Sequence, residues 1–513
     1  MQEIHLQHKK PPYFMIAVLF IGTFVGFLNN TLLNVALPTL MTEFNVGPTT
    51  VQWLTTGYML VSGILVPASA FFITRFTNRS LFIGAMSLFT LGTALAAFAP
   101  EFWVLITARM IQAVGTSMMG PLLMNVMLTS FPIEKRGTAM GVFGMVMFAA
   151  PAIGPTLSGW VIENYTWRVL FGMVLPLAVL SLLFAIFKLK NITPNKKVTL
   201  DVMSLILSSI GFGGILYGFS SASSKGWDSP WVYGTIIIGT VSLVAFVIRQ
   251  LRSDVPLLEL RTYKHPMFAL SSVISITLAM AMFSGTILTP LYTQNILGMS
   301  PLDSGLLMLP GALVMGFMSP ITGRLFDKYG ARSLAITGLS IMLVSTYFLT
   351  NLTFDTSYTY LMIVYSVRMF GMSMVMMPVS TNGLNQLPTA MYPHGTAINN
   401  TLQQVSGAIG TAILMTIMTN RAASTGETLV KEAMTKAADS GQATQASSDV
   451  IAAMQTRIEM EALLDGINYS FWVSMIIAII PLILAFFIKR STSTLAKSKA
   501  NQQDGKEDKL TAH

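Results

Sequence analysis

Two arginines, Arg109 and Arg368, lie deep inside apolar stretches of this chain, with no acidic residue beside them in sequence. A guanidinium near mid-membrane costs roughly 3 kcal/mol or more, so it usually lines a polar interior that passes ions or substrates. The other reading is a side chain that snorkels to an interface. It weighs more for Arg368. Polar neutral residues accompany the arginines: Asn29, Asn30, Asn34, Tyr58, Gln112, Asn399, Asn400, Gln403 and Gln404 fall in or near apolar runs. They suit a cavity wall and interhelical hydrogen bonding equally well. Other chemistry finds no support. Cysteine is absent, the 5 histidines are scattered, and no phosphate-binding glycine loop or nucleophile–base pair can be placed. The chain therefore reads as a non-enzyme, with no metal and no cofactor expected.

The elements that must position these residues are membrane helices. Of 513 residues, 53% are hydrophobic and 10% charged, whereas a soluble domain carries about 25% charged residues. The charges cluster between apolar runs of about 20 residues, the length that crosses a hydrocarbon core as helix. The alternating segments of about ten residues that mark a membrane barrel are missing. About fourteen spans are expected. The first six run Tyr13–Leu37, Thr50–Ile73, Leu81–Phe98, Phe102–Met124, Thr138–Ile162 and Trp167–Phe187. Val202–Ser221 and Trp231–Leu251 follow, and the last six are Met267–Leu291, Ser304–Thr322, Ser333–Thr350, Tyr358–Leu384, Thr396–Thr419 and Ile467–Ile488. The polar start MQEIHLQHKK precedes an apolar run without a small-residue cleavage site, which reads as a retained first helix.

The net charge of +9 resides mostly in loops. Lys9–Lys10, Arg75–Arg79, Glu134–Arg136, Lys188–Lys197, Arg249–Lys264, Arg324–Arg332 and Lys489–Lys499 alternate with short loops poor in Lys and Arg. By the positive-inside rule the basic loops are cytoplasmic, as are both ends of the chain. That accounts for the charge without a nucleic-acid partner. The reading is an all-α polytopic protein of a bacterial cytoplasmic membrane, in contact with lipid. A cytoplasmic start, 1–12, precedes a six-helix bundle, 13–190. Two extra helices with linkers, 191–265, lead to a second bundle, 266–490, and a disordered tail, 491–513. The outer loop 420–466 is long and polar, and its Ala, Glu, Lys and Met content suggests amphipathic helix outside the bilayer. The bundles repeat weakly: Ala70-Phe-Phe-Ile-Thr-Arg-Phe-Thr-Asn-Arg79 and Gly323-Arg-Leu-Phe-Asp-Lys-Tyr-Gly-Ala-Arg332 each follow the second helix of a six-helix set. Related halves with a site between them are a common transporter plan.

Five segments make the match specific. They are Thr31-Leu-Leu-Asn-Val-Ala-Leu-Pro38, Val51-Gln-Trp-Leu-Thr-Thr-Gly-Tyr58, Arg109-Met-Ile-Gln112 with Gly115, Gly154-Pro-Thr-Leu-Ser-Gly159, and Gly323–Arg332. In order and at these positions, they resemble the fourteen-helix drug:proton antiporters of the major facilitator superfamily. The likeness is strongest to the lincomycin-resistance and QacA/EmrB-like branch, and it covers nearly all of 13–490. The resemblance implies a monomer that exports amphipathic, lipophilic drugs, often cationic or neutral, against proton influx by alternating access. It implies a proton-coupling role for Arg109, and an outer hinge and seal at Gly154, Pro155 and Gly159. It implies a cytoplasmic gate at Gly323, Arg324, Asp327, Gly330 and Arg332, with Arg75 in the first-half copy. That copy is degraded, with Thr74 and Thr77 where the family usually has Asp and Gly. In the second-half copy Asp327 with Arg324, Lys328 and Arg332 is expected, mostly on the resemblance, to form a salt-bridged latch at the cytoplasmic face, with ordinary positive-inside charge as the alternative. The 36 methionines suit a surface that repacks around varied ligands, although many face lipid.

Proton antiport needs a titrating group within the membrane, and none of the 22 acidic residues falls clearly at mid-span. The resembled family places an acid in the first helix just before the motif Thr, where this chain reads Leu28-Asn29-Asn30-Thr31. Three explanations stand. Asn30 is a neutralised, even engineered, proton site imitating the protonated acid; a peripheral acid such as Glu163 or Asp303 couples instead; or transport is not proton-driven. A dedicated lipid or metabolite exporter, a non-coupled facilitator, and a receptor reading through 420–466 are the rival functions.

Overall fold

Main-chain polar groups inside a bilayer have no water to bond, so each apolar run closes on itself as helix. The computed structural model describes residues 12–191, 199–439 and 448–489. It contains fourteen helices long and apolar enough to cross a membrane. The first bundle comprises α1 (Tyr13–Phe44), α2 (Trp53–Arg75), α3 (Asn78–Ala97), α4 (Phe102–Ser130), α5 (Arg136–Asn164) and α6 (Arg168–Lys188). The inserted pair is α7 (Val202–Lys225) and α8 (Pro230–Arg252). The second bundle comprises α9 (Pro266–Asn295), α10 (Pro301–Tyr329), α11 (Ala331–Phe348), α12 (Tyr358–Ser373, continued by Met376–Leu384), α13 (Tyr392–Asp439) and α14 (Ser448–Ala485).

The fourteen expected spans are all present, and most helices run past their apolar runs. α1 continues from Leu37 through Pro38 to Phe44, and α4 from Met124 to Ser130. α12 is interrupted at Met374 and Val375, a step that composition does not reveal. The expected polar outer segment is not a separate element lying on the surface. Residues 420–439 and 448–466 continue α13 and α14 as the two arms of a helical hairpin. Arg421 and Asp465 pair across it at 2.8 Å, and Gly466 lies directly against the Met418 carbonyl.

Burial sorts the helices by depth. In α4, 83% of the apolar window is enclosed, against 22% in α8, which marks α4 as the heart of its bundle and α8 as lipid-facing. The bundles meet along two seams. One is the direct packing of α5 on α10, where Gly137 and Gly323 bring the backbones together; a Cβ at Gly323 would lie 2.2 Å from the Gly137 carbonyl oxygen. On the other, α2 and α13 approach each other and α7 packs on both. α8 is held to α7 by Arg249, which grips Asp201 with two hydrogen bonds at 2.9 and 3.0 Å. Asp201 also caps α7 through the Ser204 amide. The Arg249 guanidinium, foremost, holds the Asp201 carboxyl down at about 2.

Candidate functional site

Arg109 and Gln112 lie one turn apart on α4, so both side chains reach the same interior wedge between α1, α2 and α3. Arg109 is 1% exposed, and one Nη donates to Gln112 Oε1 at 3.0 Å. Asn29 of α1 donates its Nδ2 to the same oxygen at 3.0 Å. Gln112 in turn donates to Thr93 of α3 at 3.0 Å. The guanidinium lies 4.4 Å over the Tyr58 ring of α2, a cation–π contact, and the Tyr58 hydroxyl bonds Thr116. Arg109 therefore does not snorkel; it is the centre of a four-helix polar knot. Its other Nη and the Asn29 Oδ1 are buried without a partner.

A second buried guanidinium occupies the corresponding place in the second bundle. Arg368 is on α12, the fourth helix of its set, and is fully enclosed. It donates to the Ala281 carbonyl of α9 at 2.6 Å, to Ser284 at 3.1 Å and to Thr346 of α11 at 3.2 Å. Ser474 of α14 bonds Ser284 at 2.7 Å and completes the cluster. As in the first bundle, an arginine of the fourth helix ties the first and third helices of its set, and one Nη is left unpartnered. Among the described residues, neither arginine takes part in an ion pair.

The remaining sequence candidates are scattered. Asn30 is half-buried on α1 and has no hydrogen-bond partner among the described residues. Asn34 is on the same helix, but its side chain lies outside the described ones. Asn399 is buried and bonds Ser380 within its own bundle, so it does not face the seam. Its neighbour Asn400 does, 3.7 Å from the Met124 sulfur of α4, and Gln404 one turn on reaches towards Gly63 of α2. Gln403 is half-buried. Glu163 is exposed at the outer end of α5, and Asp303 is exposed at the start of α10, where it exchanges hydrogen bonds with the Ser300 cap. Gly154 packs on Thr31 of α1, Pro155 lies beside Gly305 and Gly159 meets Leu302 of α10, so this segment fastens α5 to both bundles.

At the basic face the polar contacts between bundles converge on the first turn of α5. Asp327 of α10 accepts from the Gly137 and Thr138 amides at 2.8 and 2.9 Å and from the Thr138 hydroxyl at 2.7 Å. A carboxylate there satisfies orphan donors and opposes the positive helix end. Arg136 donates to Asn385 at 3.0 Å and to the Tyr392 hydroxyl at 2.6 Å. Asp327 thus bridges the bundles, whereas its sequence neighbours Arg324, Lys328 and Arg332 are exposed. Arg75 is half-buried. Gly330 joins α10 to α11 at φ +82°, a conformation that glycine adopts without penalty. In the first-half copy Thr74 bonds its own helix at Ala70.

Reading the sequence alone misses Thr93, Ser284, Thr346 and Ser474, whose significance is only the arginine they meet. It also misses Arg136, although a signal exists. Arg136-Gly-Thr-Ala139 opens α5 and His394-Gly-Thr-Ala397 opens α13, the fifth helix of each set.

The comparisons agree with this architecture. The profile of the Major Facilitator Superfamily matches residues 19–411. The lincomycin resistance protein LmrB of Bacillus subtilis is 45% identical over 94% of this chain and 97% of its own length. The uncharacterized MFS-type transporter YhcA of the same organism is 53% identical over 81% of this chain and 78% of its own. The crystal structure of the human organic anion transporter MFSD10 shares the fold, with a TM-score of 0.64 at 13% identity over 93% of this chain and 100% of that one. With two six-helix bundles, an inserted pair and a profile match across both bundles, the chain belongs to the Major Facilitator Superfamily.

Proposed function

We propose that this protein exports amphipathic, lipophilic drugs across the bacterial cytoplasmic membrane by alternating access, using proton influx as its ordinary driving force. The observation that carries the reading is the Asn29–Arg109–Gln112–Thr93 knot, which places an unpaired guanidinium donor and an unpaired amide oxygen in the membrane interior. Such groups are expensive in lipid and persist where charge is handled. The names of the relatives support drugs as cargo. The bundles rock about the α5–α10 seam, the α5 segment Gly154–Gly159 closes the outer side, and the Asp327 and Arg136 contacts close the cytoplasmic side.

Asn30 marks the place of the proton carrier in this scheme. An amide is close in shape to a protonated acid but cannot release a proton. Asn30→Glu is expected to confer or strengthen pH-dependent transport, read as drug-induced proton flux in proteoliposomes. If the variant folds and proton flux stays at the level of the parent chain, Asn30 is not the silenced site. Flux already present in the parent would turn attention to Glu163 and Asp303.

A further inference from the structure

Among the described residues, the charges retained inside the spans are all positive. The acidic side chains of the membrane helices stand at or beyond the ends of the spans: Glu43, Glu163, Asp303 and those of the 420–466 segment, Asp465 among them, on the outer side, and Asp201 and Asp327 on the basic side. At depth stand Arg109 and Arg368, one per bundle, 1% and 0% exposed, each with an unpartnered Nη. Away from the charged contacts of Asp327 and Arg136 at the basic face, the polar groups where α13 faces the first bundle are neutral: Asn400 meets Met124 across the seam, and Gln404 approaches Gly63. A solute between the bundles therefore meets amides, hydroxyls and thioethers under the field of two cations, one from each side. Buried charge is screened far less than exposed charge, so that field reaches across the seam.

We propose that this interior selects amphipathic anions, carboxylates foremost, tolerates neutral amphiphiles and rejects permanent cations. The selection rests on the seam being the drug path proposed above. It also removes the need for an acid on α1. A cell interior at negative potential pushes anions outward, and 100 mV sustains a concentration ratio of about fifty for one charge. A carboxylate can thus be exported on the potential alone, with amides at positions 29 and 30. A cation gains nothing from that potential and finds no counter-charge at the depth of the two arginines.

Three dansyl sulfonamides with a five-carbon chain ending in a carboxylate, a methyl or an ammonium group isolate the charge on one skeleton. Their uptake is measured in proteoliposomes containing the full chain, at equal pH on both sides. A potassium gradient with valinomycin sets a potential of the sign that favours each charged probe, and protein-free liposomes give the background. The expected result is carboxylate uptake at least tenfold faster than ammonium uptake, with the methyl probe between. Ammonium uptake equal to or faster than carboxylate uptake overturns the selection and leaves the exporter standing. Uptake of all three at the protein-free rate removes the exporter reading and the selection with it. Asn30→Asp adds the opposite charge at depth, and should narrow the carboxylate-to-ammonium ratio at least severalfold; an unchanged ratio in the folded variant would show that interior charge does not set the preference.

Discussion

The two buried arginines occupy equivalent helices yet are held differently. Arg109 shares one oxygen of Gln112 with Asn29, and its guanidinium leans on the Tyr58 ring. Gln112, Asn29 and Tyr58 are side chains on three helices, able to rotate and take other partners, and the backbone contacts of Arg109, to the Leu54 and Asn29 carbonyls, are long at 3.4 Å. Arg368 is tied to the Ala281 carbonyl and to small hydroxyls whose own bonds return to their helices, as Ser284 to Ala281 and Thr346 to Met342. Its Nη1 also lies so close to Gly285 that a Cβ there would be 1.9 Å away. The first arrangement can change partners without unfolding; the second is a peg driven between α9, α11 and α12. Equivalent positions in a repeat have thus diverged in how the arginine is held, which fits the proposed working site at Arg109 and a fixed support at Arg368.

Replacing each arginine by glutamine is the sharpest way to test that division. Arg109→Gln should reduce drug export to background while the protein still unfolds near its original temperature. Arg368→Gln should destabilise by about 1–3 kcal/mol, the cost of leaving its buried neutral hydrogen-bond partners unsatisfied, seen as a fall in unfolding temperature in detergent. Equal stability losses, or equal transport losses from folded protein, would erase the distinction.

A smaller effect is expected at the gate, where the halves differ in the same sense. Asp327 caps α5, while Thr74 in the first-half copy turns back on its own helix. Loss of an N-terminal cap costs about 1 kcal/mol, so Asp327→Ala should shift the population severalfold towards the cytoplasm-open form. The chain has no cysteine, so labelling of a single Ser319→Cys reporter by a membrane-impermeant thiol reagent from the cytoplasmic side reads that shift. Faster labelling is expected, and an unchanged rate would mean that Asp327 does not hold the gate. Thr74→Ala should leave labelling unaltered.

The smallest effect should come from outside both halves. Asp201→Asn keeps a capping side chain for α7 but loses the charge that pairs with Arg249. Because the Asp201 carboxyl is held below its ordinary value, the pair stabilises above the usual carboxylate range and the benefit is lost as pH falls through about 2. Parent and variant should differ slightly in unfolding temperature from pH 8 to pH 5 and converge towards pH 2, with drug export alike throughout. A change in export would extend the functional region into the inserted pair.

What could be read from the sequence follows from physics that acts locally. Apolar runs of spanning length must be helices, and basic loops alternate with neutral ones, so spans and fold class are legible without coordinates. The burial of Arg109 is legible too, since no interface lies within its reach. Its partners are not. Which face of a nearly uniformly apolar helix turns inward leaves little mark on composition, so Asn399 and Asn400 look interchangeable, although one bonds Ser380 and the other meets the opposite bundle. Asp327 shows the same limit: its neighbours in sequence are basic, but its carboxylate reaches an element almost two hundred residues away.

The helix α13 is also a mechanical pointer. With 48 residues it is about 72 Å long as a continuous rod, starting at the gate beside Arg136 and ending beyond the far side of the bilayer. A rotation of about 10° at its base sweeps the tip through about 12 Å at that length, far more than any displacement in the interior. Under the alternating access proposed above, the outer end of α13 would magnify small rearrangements at its base, and a pair of spectroscopic labels on it and on the outer end of α3 would register each turnover without a probe in the drug path.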